Sequence, residues 1–416
     1  MRYCTRCVYP ETSAIKLTFD DRGVCSGCLV AEEREKIDWE PKRKKLDAIL
    51  EEHRSKDGSN YDCIIPVSGG KDSLFQTHII KEVYGLNPLL VTFNHTFNTK
   101  VGTRNLANMV EKLGCDHIRF TPSPKTVKKL AKLSLKKMGD VCWHCHAGIH
   151  TYPVQIAVKF KIPLLIWGEQ GYSDLAGMFS AGDMVEMTYR HRKEHALRGY
   201  DYNDMVSEEE GITAQELKPF VYPSDEELEE VGVRGIYLGN FLKWNYKAQT
   251  ELMIEKYGFE TAAQERTYTC YENVECHHAS GAHDYLKFLK FGYGRASDDA
   301  VRDLRLGRLS REEAIDLVME YDGKRPKDLD LMLKYLNMSE EEFNATIDKM
   351  RDPRAWKKDE KGKWVLIDPI SNHLKDKNVN DVRLPLKEEK GRREYIQTEL
   401  TPEHLEDAQH IKHTVI

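Results

Sequence analysis

Long apolar runs, an excess of basic charge and a leader-like N-terminus are all missing from this sequence. Apolar runs such as residues 162–167 are far too short to span a bilayer. The first residues, MRYCTRC, contain no apolar signal-peptide core. The net charge of −6 gives no global basic field of the kind that attracts nucleic acid. We therefore expect a cytoplasmic protein with no membrane insertion and no nucleic-acid partner.

The stretch YDCIIPVSGGKDS, residues 61–73, joins an apolar strand to two glycines, a lysine and two serines. Glycines let backbone N–H groups approach phosphate oxygens, and the following helix directs its positive end at the same anion. Hydroxyl groups and the Lys71 charge add further donors, while Asp72 either holds Mg²⁺ or is a favourable charge in the first helical turn. The pattern is not GxxxxGK[ST], which argues against γ-phosphate cleavage. The predicted nucleotide-binding residues here are Ser68, Gly69, Gly70, Lys71, Asp72 and Ser73.

Short apolar strands alternate with helical patterns through the middle of the chain and predict a doubly wound parallel sheet. The predicted strands are residues 61–67, 88–93, 117–120, 163–167 and 235–238, and residues 149–160 are expected to form a helix interrupted at Pro153. Ligands bind beyond the carboxyl ends of such strands. Thr92 and Phe93 end the second strand, where we expect their backbone to contact adenine. Glu169 follows a later strand and is either a ligand of Mg²⁺ or sugar, or a solvated carboxylate.

Ten cysteines in a reducing compartment favour metal binding or catalysis over disulfides. Cys4, Cys7, Cys25 and Cys28 form two CxxC pairs separated by seventeen residues. Four thiolates make a closed tetrahedral Zn²⁺ site, and such a site folds a segment too small to bury its own core. The pattern predicts a structural zinc ribbon.

A second CxxC pair, Cys142 and Cys145, lies in DVCWHCH. A haem c site is excluded by the expected compartment. A structural thiol pair, a zinc site completed by His144 or His146, and an iron–sulfur cluster completed by Cys276 or Cys270 all remain open.

SGGKDS after an apolar strand resembles the PP-loop of ATP pyrophosphatases. Over residues 1–340 the sequence resembles the N-acetyl sugar amidotransferase family, which modifies nucleotide-linked sugars for surface polysaccharides such as lipopolysaccharide O-antigen. The stretches that carry this resemblance are CTRCVYPET, VSGGKDS, CWHCHAGIH, IWGEQ, HALRGYD, KFGYGRASDDA and EEAIDLVMEYDGKRPKDLD.

The resemblance implies an ATP-dependent enzyme that converts a sugar acetamido group into an acetamidino group with ammonia, cleaving ATP to AMP and pyrophosphate. Lys71, Asp72 and Glu169 are the candidate catalytic residues, with ATP, Mg²⁺ and Zn²⁺ as cofactors. The similarity of Cys142, Cys145 and Cys276 to the cysteines of PP-loop tRNA-thiolation enzymes adds a candidate [4Fe–4S] cluster.

The sequence shows no glutaminase of its own. Residue 2 is Arg2 rather than the cysteine of class II domains, and Gly114-Cys115-Asp116 does not fit a class I elbow. We therefore expect a separate glutaminase subunit to supply ammonia, as the resemblance also implies.

Two arginine-containing stretches are candidate contacts for the diphosphate of a nucleotide-linked sugar, because guanidinium groups match phosphate oxygens. Residues 189–202 offer Arg190, Arg192, Lys193 and Arg198, while KFGYGRASDD offers Arg295. Arg198 and Arg295 are the substrate candidates. An exposed charged helix explains the first stretch equally well.

The predicted domains are a zinc ribbon over residues 1–35, a PP-loop domain over 36–260 and a mainly helical region with a polar tail over 261–416. Ser310 and Ser339 each begin a capping box. The alternative function is a tRNA 2-thiolation-type sulfurtransferase with an iron–sulfur cluster. Its RNA surface would be the helix that carries Lys125, Lys128, Lys129, Lys132, Lys136 and Lys137.

Overall fold

The computed structural model describes residues 1–376, 382–384 and 386, so most of the predicted polar tail lies outside the described residues. The chain begins with a cysteine-bearing segment that has two isolated antiparallel bridges, Tyr3 with Pro10 and Phe19 with Cys25. Gly23, at φ +79°, lies in the tight turn that connects Phe19 to Cys25. Two helices follow, α1 (Ser26–Glu35) and α2 (Trp39–His53).

The central part of the chain is a five-stranded parallel sheet in the order β3-β2-β1-β4-β5, which confirms the predicted doubly wound architecture. β1 pairs with both β2 and β4, so the chain reverses its direction of winding there and leaves a crevice at the carboxyl ends of β1 and β4. The elements are β1 (Cys63–Pro66), α3 (Lys71–His78), β2 (Pro88–Phe93), α4 (Lys100–Leu113), β3 (His117–Phe120), α5 (Pro124–Met138), α6 (Trp143–Ile149), α7 (Tyr152–Phe160), β4 (Leu164–Trp167), α8 (Gly171–Ala176), α9 (Tyr189–His191), α10 (Asp225–Val231), β5 (Arg234–Tyr237) and α11 (Tyr246–Tyr257).

Helices cover both faces of the sheet, which explains why its strands are continuous apolar runs. Ile64 packs in one core cluster with Val91 and Leu165, while its neighbour Ile65 packs in the cluster on the opposite face. The predicted interruption at Pro153 is wrong. Pro153 lies in the first turn of α7, where its missing N–H has no helical partner to lose.

The C-terminal region is mainly helical and ends in a small antiparallel hairpin within the described residues. The predicted capping boxes at Ser310 and Ser339 are both present, each with its partner glutamate three residues later. The N-terminal cysteine segment shares an apolar core with this region, since Tyr9 packs in one cluster with Val301 and Leu304. The elements are α12 (His277–Phe291), α13 (Arg295–Arg305), α14 (Arg311–Tyr321), α15 (Leu329–Leu336), α16 (Glu340–Ile347), β6 (Trp356–Lys358) and β7 (Trp364–Leu366).

None of the helices in the described ranges is both long enough and apolar enough to cross a bilayer.

Candidate functional site

The glycine loop between β1 and α3 is held in place by its own hydroxyl groups. The Ser68 N–H donates to Ser73 Oγ (3.3 Å), and Ser73 Oγ donates to the Gly70 carbonyl oxygen (2.9 Å). Gly69 has φ +89°, and a Cβ added there would lie 2.6 Å from the Gly102 carbonyl oxygen. The loop therefore needs glycine at this position and lies at the N-terminus of α3, as the sequence predicts for an anion cradle.

A carboxylate, that of Glu275, lies against this loop. Ser68 Oγ donates to Glu275 Oε1 (3.0 Å), and a Cβ on Gly70 would lie 3.0 Å from the same oxygen. Burial raises the pKa of Glu275, and its Oε2 is buried with no hydrogen-bond partner among the described residues. The sequence analysis did not single out Glu275. The carboxyl group of Glu275 thus occupies the space against Ser68 and Gly70.

Lys71 projects from the first turn of α3 into a nearly solvent-free space. Its Nζ lies 2.6 Å from Asp72 Oδ2 and 3.1 Å from Glu272 Oε1, and 4.8 Å from the ring centre of Tyr246. Burial acts to lower the pKa of Lys71, but the carboxylates of Asp72 and Glu272 outweigh it and raise the pKa. Lys71 is therefore a cation at neutral pH, as the proposed phosphate contact requires.

Arg302 of α13 gathers a group of carboxylates at the same edge of the sheet. Its guanidinium lies 3.3 Å from Glu169, 3.1 Å from Asp174, 3.4 Å from Asp299 and 3.9 Å from Glu272. Glu169 thus lies at the predicted edge, and it is not a solvated carboxylate. Sequence reasoning missed Arg302, Glu272 and Asp299 as members of this site. Their positions depend on how the C-terminal region packs on the sheet.

Burial raises the pKa of two carboxyl groups around Arg302. It raises the pKa of Glu169 well above its ordinary range and that of Asp299 to about 7. Glu169 Oε2 and Asp72 Oδ1 are both buried without a hydrogen-bond partner among the described residues. Unpartnered carboxylate oxygens are suitable ligands for Mg²⁺, which prefers oxygen donors. Asp72 and Glu169 therefore fit the Mg²⁺ that would accompany ATP.

Thr92 and Phe93 end β2 as predicted, but their side chains are occupied within the protein. Thr92 Oγ1 donates to the Val67 carbonyl oxygen (2.8 Å), and the Phe93 ring packs against Phe120, Tyr152 and Phe220. Adenine contacts from these residues stay a prediction and would involve backbone atoms.

The four N-terminal cysteines converge in the folded chain. Their sulfur atoms all lie within 4.8 Å of one another, and the four residues are at most 1% exposed. Hydrogen bonds from Cys28 and Cys4 lower the pKa of the Cys25 thiol. Four buried sulfurs in one small group fit a tetrahedral Zn²⁺ ion.

The second cysteine group is less converged. Burial raises the pKa of Cys142, and the charges of Asp140, Cys145 and Cys276 raise it further. The ligand atoms within 4.8 Å of the Cys142 sulfur belong instead to Asp140 and His283.

The structure narrows the candidates for completing this group. Cys270 packs in the apolar core beside the sheet, which leaves Cys276 as the third cysteine. His144 is buried with its Nε2 at 3.4 Å from the His95 carbonyl oxygen. The structure therefore places ligand atoms of Asp140 and His283 within 4.8 Å of the Cys142 sulfur, and it places Cys270 in the apolar core.

A cavity of about 730 Å³ lies beside this group, between the cysteine segment, α8 and helices α12 and α13. Its wall carries six basic side chains and two acidic ones, Glu194 and Asp298. The charge is opposite in sign to the net charge of the chain, which indicates an anionic ligand. The basic residues are Lys16, Lys137, Arg198, Lys287, Lys290 and Arg295.

Arg198 and Arg295, the two predicted substrate contacts, line this one cavity although they lie almost a hundred residues apart. Arg198 Nη1 pairs with Asp140 (2.9 Å), and Arg295 forms two bonds to Asp284 (3.1 and 3.0 Å). The prediction for Arg192 is wrong, because its guanidinium is fully buried and pairs with Asp201 (3.2 Å).

Comparison with known proteins places a family match on the C-terminal region. Residues 265–370 match the family described as LPS biosynthesis protein WbpG-like, C-terminal domain. This part of the chain is WbpG-like. The WbpG-like region supplies Arg302, Glu272 and Glu275 to the sheet edge, and Arg295 and Lys290 to the cavity.

Among curated proteins, the uncharacterized protein MJ1599 of Methanocaldococcus jannaschii is 28% identical over 203 residues, which are 47% of this chain and 70% of that protein. NMN synthetase from Francisella tularensis aligns at a TM-score of 0.27 and 15% identity, over 53% of this chain and 87% of its own. A predicted subunit of tRNA methyltransferase from Methanocaldococcus jannaschii aligns at a TM-score of 0.21 and 18% identity. The alignment covers 47% of this chain and 87% of that chain. The fold class rests on the observed sheet order and glycine loop.

Proposed function

We propose that the chain is an ATP-dependent amidotransferase that converts the acetamido group of a nucleotide-linked N-acetyl sugar into an acetamidino group. The observation that carries this proposal is the glycine loop with Lys71 at the sheet edge. A large cavity lined by basic side chains shares α8 with this edge, since Asp174 pairs with Arg302 and Leu175 lines the cavity. The family resemblance and the WbpG-like region support an acceptor used in surface polysaccharide synthesis.

In the proposed reaction the acetamido oxygen attacks the α-phosphorus of ATP, and pyrophosphate leaves. The oxygen, now carrying AMP, becomes a good leaving group. Ammonia adds to the acetamido carbon, a proton is lost, and AMP departs with the oxygen to leave the amidine. Lys71 stabilises the charge that develops on the phosphates, because a fixed cation in a water-poor site acts strongly on such charge. Asp72 and Glu169 would hold Mg²⁺, which neutralises part of the polyphosphate charge.

The cavity would receive the nucleotide-linked sugar. A guanidinium group can donate two parallel hydrogen bonds to phosphate oxygens, and Arg198 and Arg295 both line the cavity. Ammonia would come from a separate glutaminase subunit. Cys115, the nearest match to a glutaminase nucleophile, is buried in the apolar core beside α4, which supports this part of the proposal.

The decisive experiment incubates the protein with ATP, Mg²⁺, ammonium and a panel of N-acetylated sugar nucleotides, followed by product mass spectrometry. We expect AMP and pyrophosphate, together with a sugar product that has lost an oxygen and gained an NH group. Glutamine in place of ammonium should give no product with this chain alone. Formation of ADP and orthophosphate would contradict the proposal.

A tRNA 2-thiolation-type reaction is the second candidate function. It is favoured by the position of Cys276, which directly follows Glu275 at the glycine loop and is the candidate third cysteine beside the Cys142–Cys145 pair. Three of the six lysines on the helix expected to contact RNA are instead paired with glutamates of the chain. Lys129 pairs with Glu216, Lys132 with Glu210, and Lys136 with both Glu209 and Glu210.

Anaerobic purification tests the iron–sulfur part of this alternative. A brown protein whose colour is lost in Cys276→Ser and retained in His283→Gln would support a three-cysteine cluster. A colourless protein would contradict it. Metal that is lost in His283→Gln and retained in Cys276→Ser would instead indicate ligation by Asp140, Cys142 and His283.

A further inference from the structure

Arg305, the last residue of α13, contacts the N-terminal cysteine group and the loop beside the sheet edge at the same time. Its Nε donates to Cys28 Sγ (3.5 Å) and its Nη2 to Cys25 Sγ (3.7 Å). The same guanidinium donates from Nη1 to the Asp174 carbonyl oxygen (2.6 Å) and from Nη2 to the Leu175 carbonyl oxygen (3.0 Å). One buried cation thus joins two metal-ligand sulfurs to the backbone of α8.

The α8 side of this contact leads directly to the proposed ATP site. The Asp174 carboxylate accepts bonds from Arg302 Nε (3.1 Å) and from the Tyr246 hydroxyl (2.9 Å). Arg302 is one helical turn before Arg305, and its guanidinium also reaches Glu169 and Glu272, the latter a direct partner of Lys71. Only a few contacts therefore separate the sulfurs from Lys71.

The cysteine segment and α8 meet with almost no free space between them. A Cβ on Gly27 would collide with the Arg305 guanidinium and the Leu175 carbonyl oxygen, and Ser26 Oγ donates to the Ala176 carbonyl oxygen (2.6 Å). Leu175 and Ala176 also line the large cavity, together with residues 13–16 of the cysteine segment. A displacement of the metal centre would therefore move the α8 backbone.

We propose that Arg305 is a positioning residue that couples the N-terminal metal centre to the ATP site, so that each stabilises the other. The inference rests on the proposed function, because it takes the sheet edge to be the ATP site. Four thiolates around Zn²⁺ carry net negative charge, and the Arg305 donors offset that charge while fixing Asp174 and Leu175. Linkage between binding free energies is reciprocal, so ATP that orders Arg302 and Asp174 must also tighten the binding of the metal, and we expect the tighter binding to appear as slower release.

The test measures zinc release from the full chain to a coloured chelator, with and without ATP–Mg²⁺, together with equilibrium binding of ATP. Removal of outer contacts to metal ligands costs about 10- to 100-fold in metal affinity. We expect Arg305→Met to release zinc at least about tenfold faster than the unmodified chain. We also expect ATP to slow release from the unmodified chain and to have no effect on Arg305→Met.

Arg311→Met is the matched control. Arg311 is also buried and contacts the cysteine segment, but through the carbonyl oxygens of Cys7 (3.3 Å) and Cys4 (3.4 Å) rather than through sulfur. This variant should keep the slowing by ATP. Arg305→Lys retains the charge and should recover part of the effect, which keeps the test available if the methionine variant folds poorly.

Unchanged zinc release in Arg305→Met would overturn the inference. So would an ATP effect that persists in that variant, or a chain purified without metal at these cysteines. An unmodified chain that binds ATP normally but whose zinc release is not slowed by ATP contradicts this inference alone. An unmodified chain with no affinity for ATP would contradict the proposed function as well, so the two failures are distinguishable.

Discussion

The sheet edge and the cavity lie side by side but differ in how their charges are arranged. At the sheet edge both cations have carboxylate partners, Lys71 with Asp72 and Glu272, and Arg302 with four acids that include Glu169. In the cavity wall, Lys290 Nζ donates to the carbonyl oxygen of Met138 (3.1 Å), a neutral group. The sheet edge thus has more carboxyl groups than cations, whereas the cavity wall has more basic than acidic side chains.

The two proposed ligands therefore meet different charge environments. A polyphosphate at the loop must take the place of the Glu275 carboxylate and share Lys71 with Asp72, which a divalent cation would make easier. An anionic acceptor enters a cavity that already carries excess positive charge. The predictions below test this contrast, beginning with the sheet edge.

The largest effect is expected for Lys71→Ala. Loss of an electrostatic donor at a transition state costs about 10²–10³ in kcat, or roughly 3–4 kcal/mol. Steady-state pyrophosphate release should show this loss in kcat. Lys247→Ala removes another buried lysine, one paired with Glu251, and should keep turnover within about threefold, since its charge lies outside the site. Near-normal turnover in Lys71→Ala would remove the role assigned to it.

The cavity should show its unbalanced charge through Lys290. Burial lowers the pKa of Lys290 to about 8, with Arg198 adding to the decrease and Asp140 opposing it. Lys290 therefore loses its charge as the pH rises through 8, and acceptor KM should rise with it. Lys290→Met should raise acceptor KM by about 10- to 100-fold at pH 7, the range for a hydrogen bond to a charged group.

Lys290→Arg is the matched variant, because arginine keeps its charge at every pH used. Its acceptor KM should stay level between pH 7 and 9 while that of the unmodified chain rises. An equal rise in both proteins would show that Lys290 does not set the pH dependence of acceptor binding.

The sequence predicts the sheet edge better than the cavity for a physical reason. The loop is local, since strand, glycines, Lys71 and helix follow one another within a few residues and act on one anion. The cavity is formed by segments that are distant in the sequence. The sequence therefore names Arg198 and Arg295 as substrate candidates but does not show that they line one cavity. Glu272 and Arg302 reach the loop only after the C-terminal region packs on the sheet, and no spacing rule reveals that contact.

The two cysteine groups give the same lesson. Cys4, Cys7, Cys25 and Cys28 satisfy one closed ligand set, and their spacing alone predicts their convergence. The second pair needs further ligands from elsewhere in the chain. Both Cys276 and the Asp140–His283 pair come close, so identity of the third ligand depends on tertiary packing.

Glu275→Gln tests whether the Glu275 carboxylate occupies the position at the sheet edge where a phosphate of ATP would bind. Two like charges a few ångströms apart repel by about 1–4 kcal/mol between the limits of water and a protein surface. Burial raises the pKa of Glu275 and so reduces its charge, which puts the expected gain in ATP affinity at the low end, about tenfold. Equilibrium ATP binding measures it, with Glu265→Gln, at the exposed Lys327 pair, as the control. Weaker binding would show that Glu275 helps to hold the nucleotide.

The smallest effect concerns Asp299, which burial keeps protonated in the folded chain up to a pKa of about 7. Its pKa is raised on folding, so its stabilising contribution is complete at low pH and is lost as the pH rises through 7. Between pH 6 and 8 this loss amounts to at most about 1.4 kcal/mol. Thermal unfolding midpoints should therefore fall less over this range in Asp299→Asn than in the unmodified chain, whereas Asp330→Asn, at an exposed ion pair with Arg325, should behave like the unmodified chain. An equal fall in all three proteins would mean that Asp299 is already ionised beside Arg302, and that the sheet edge carries one more negative charge than its contacts suggest.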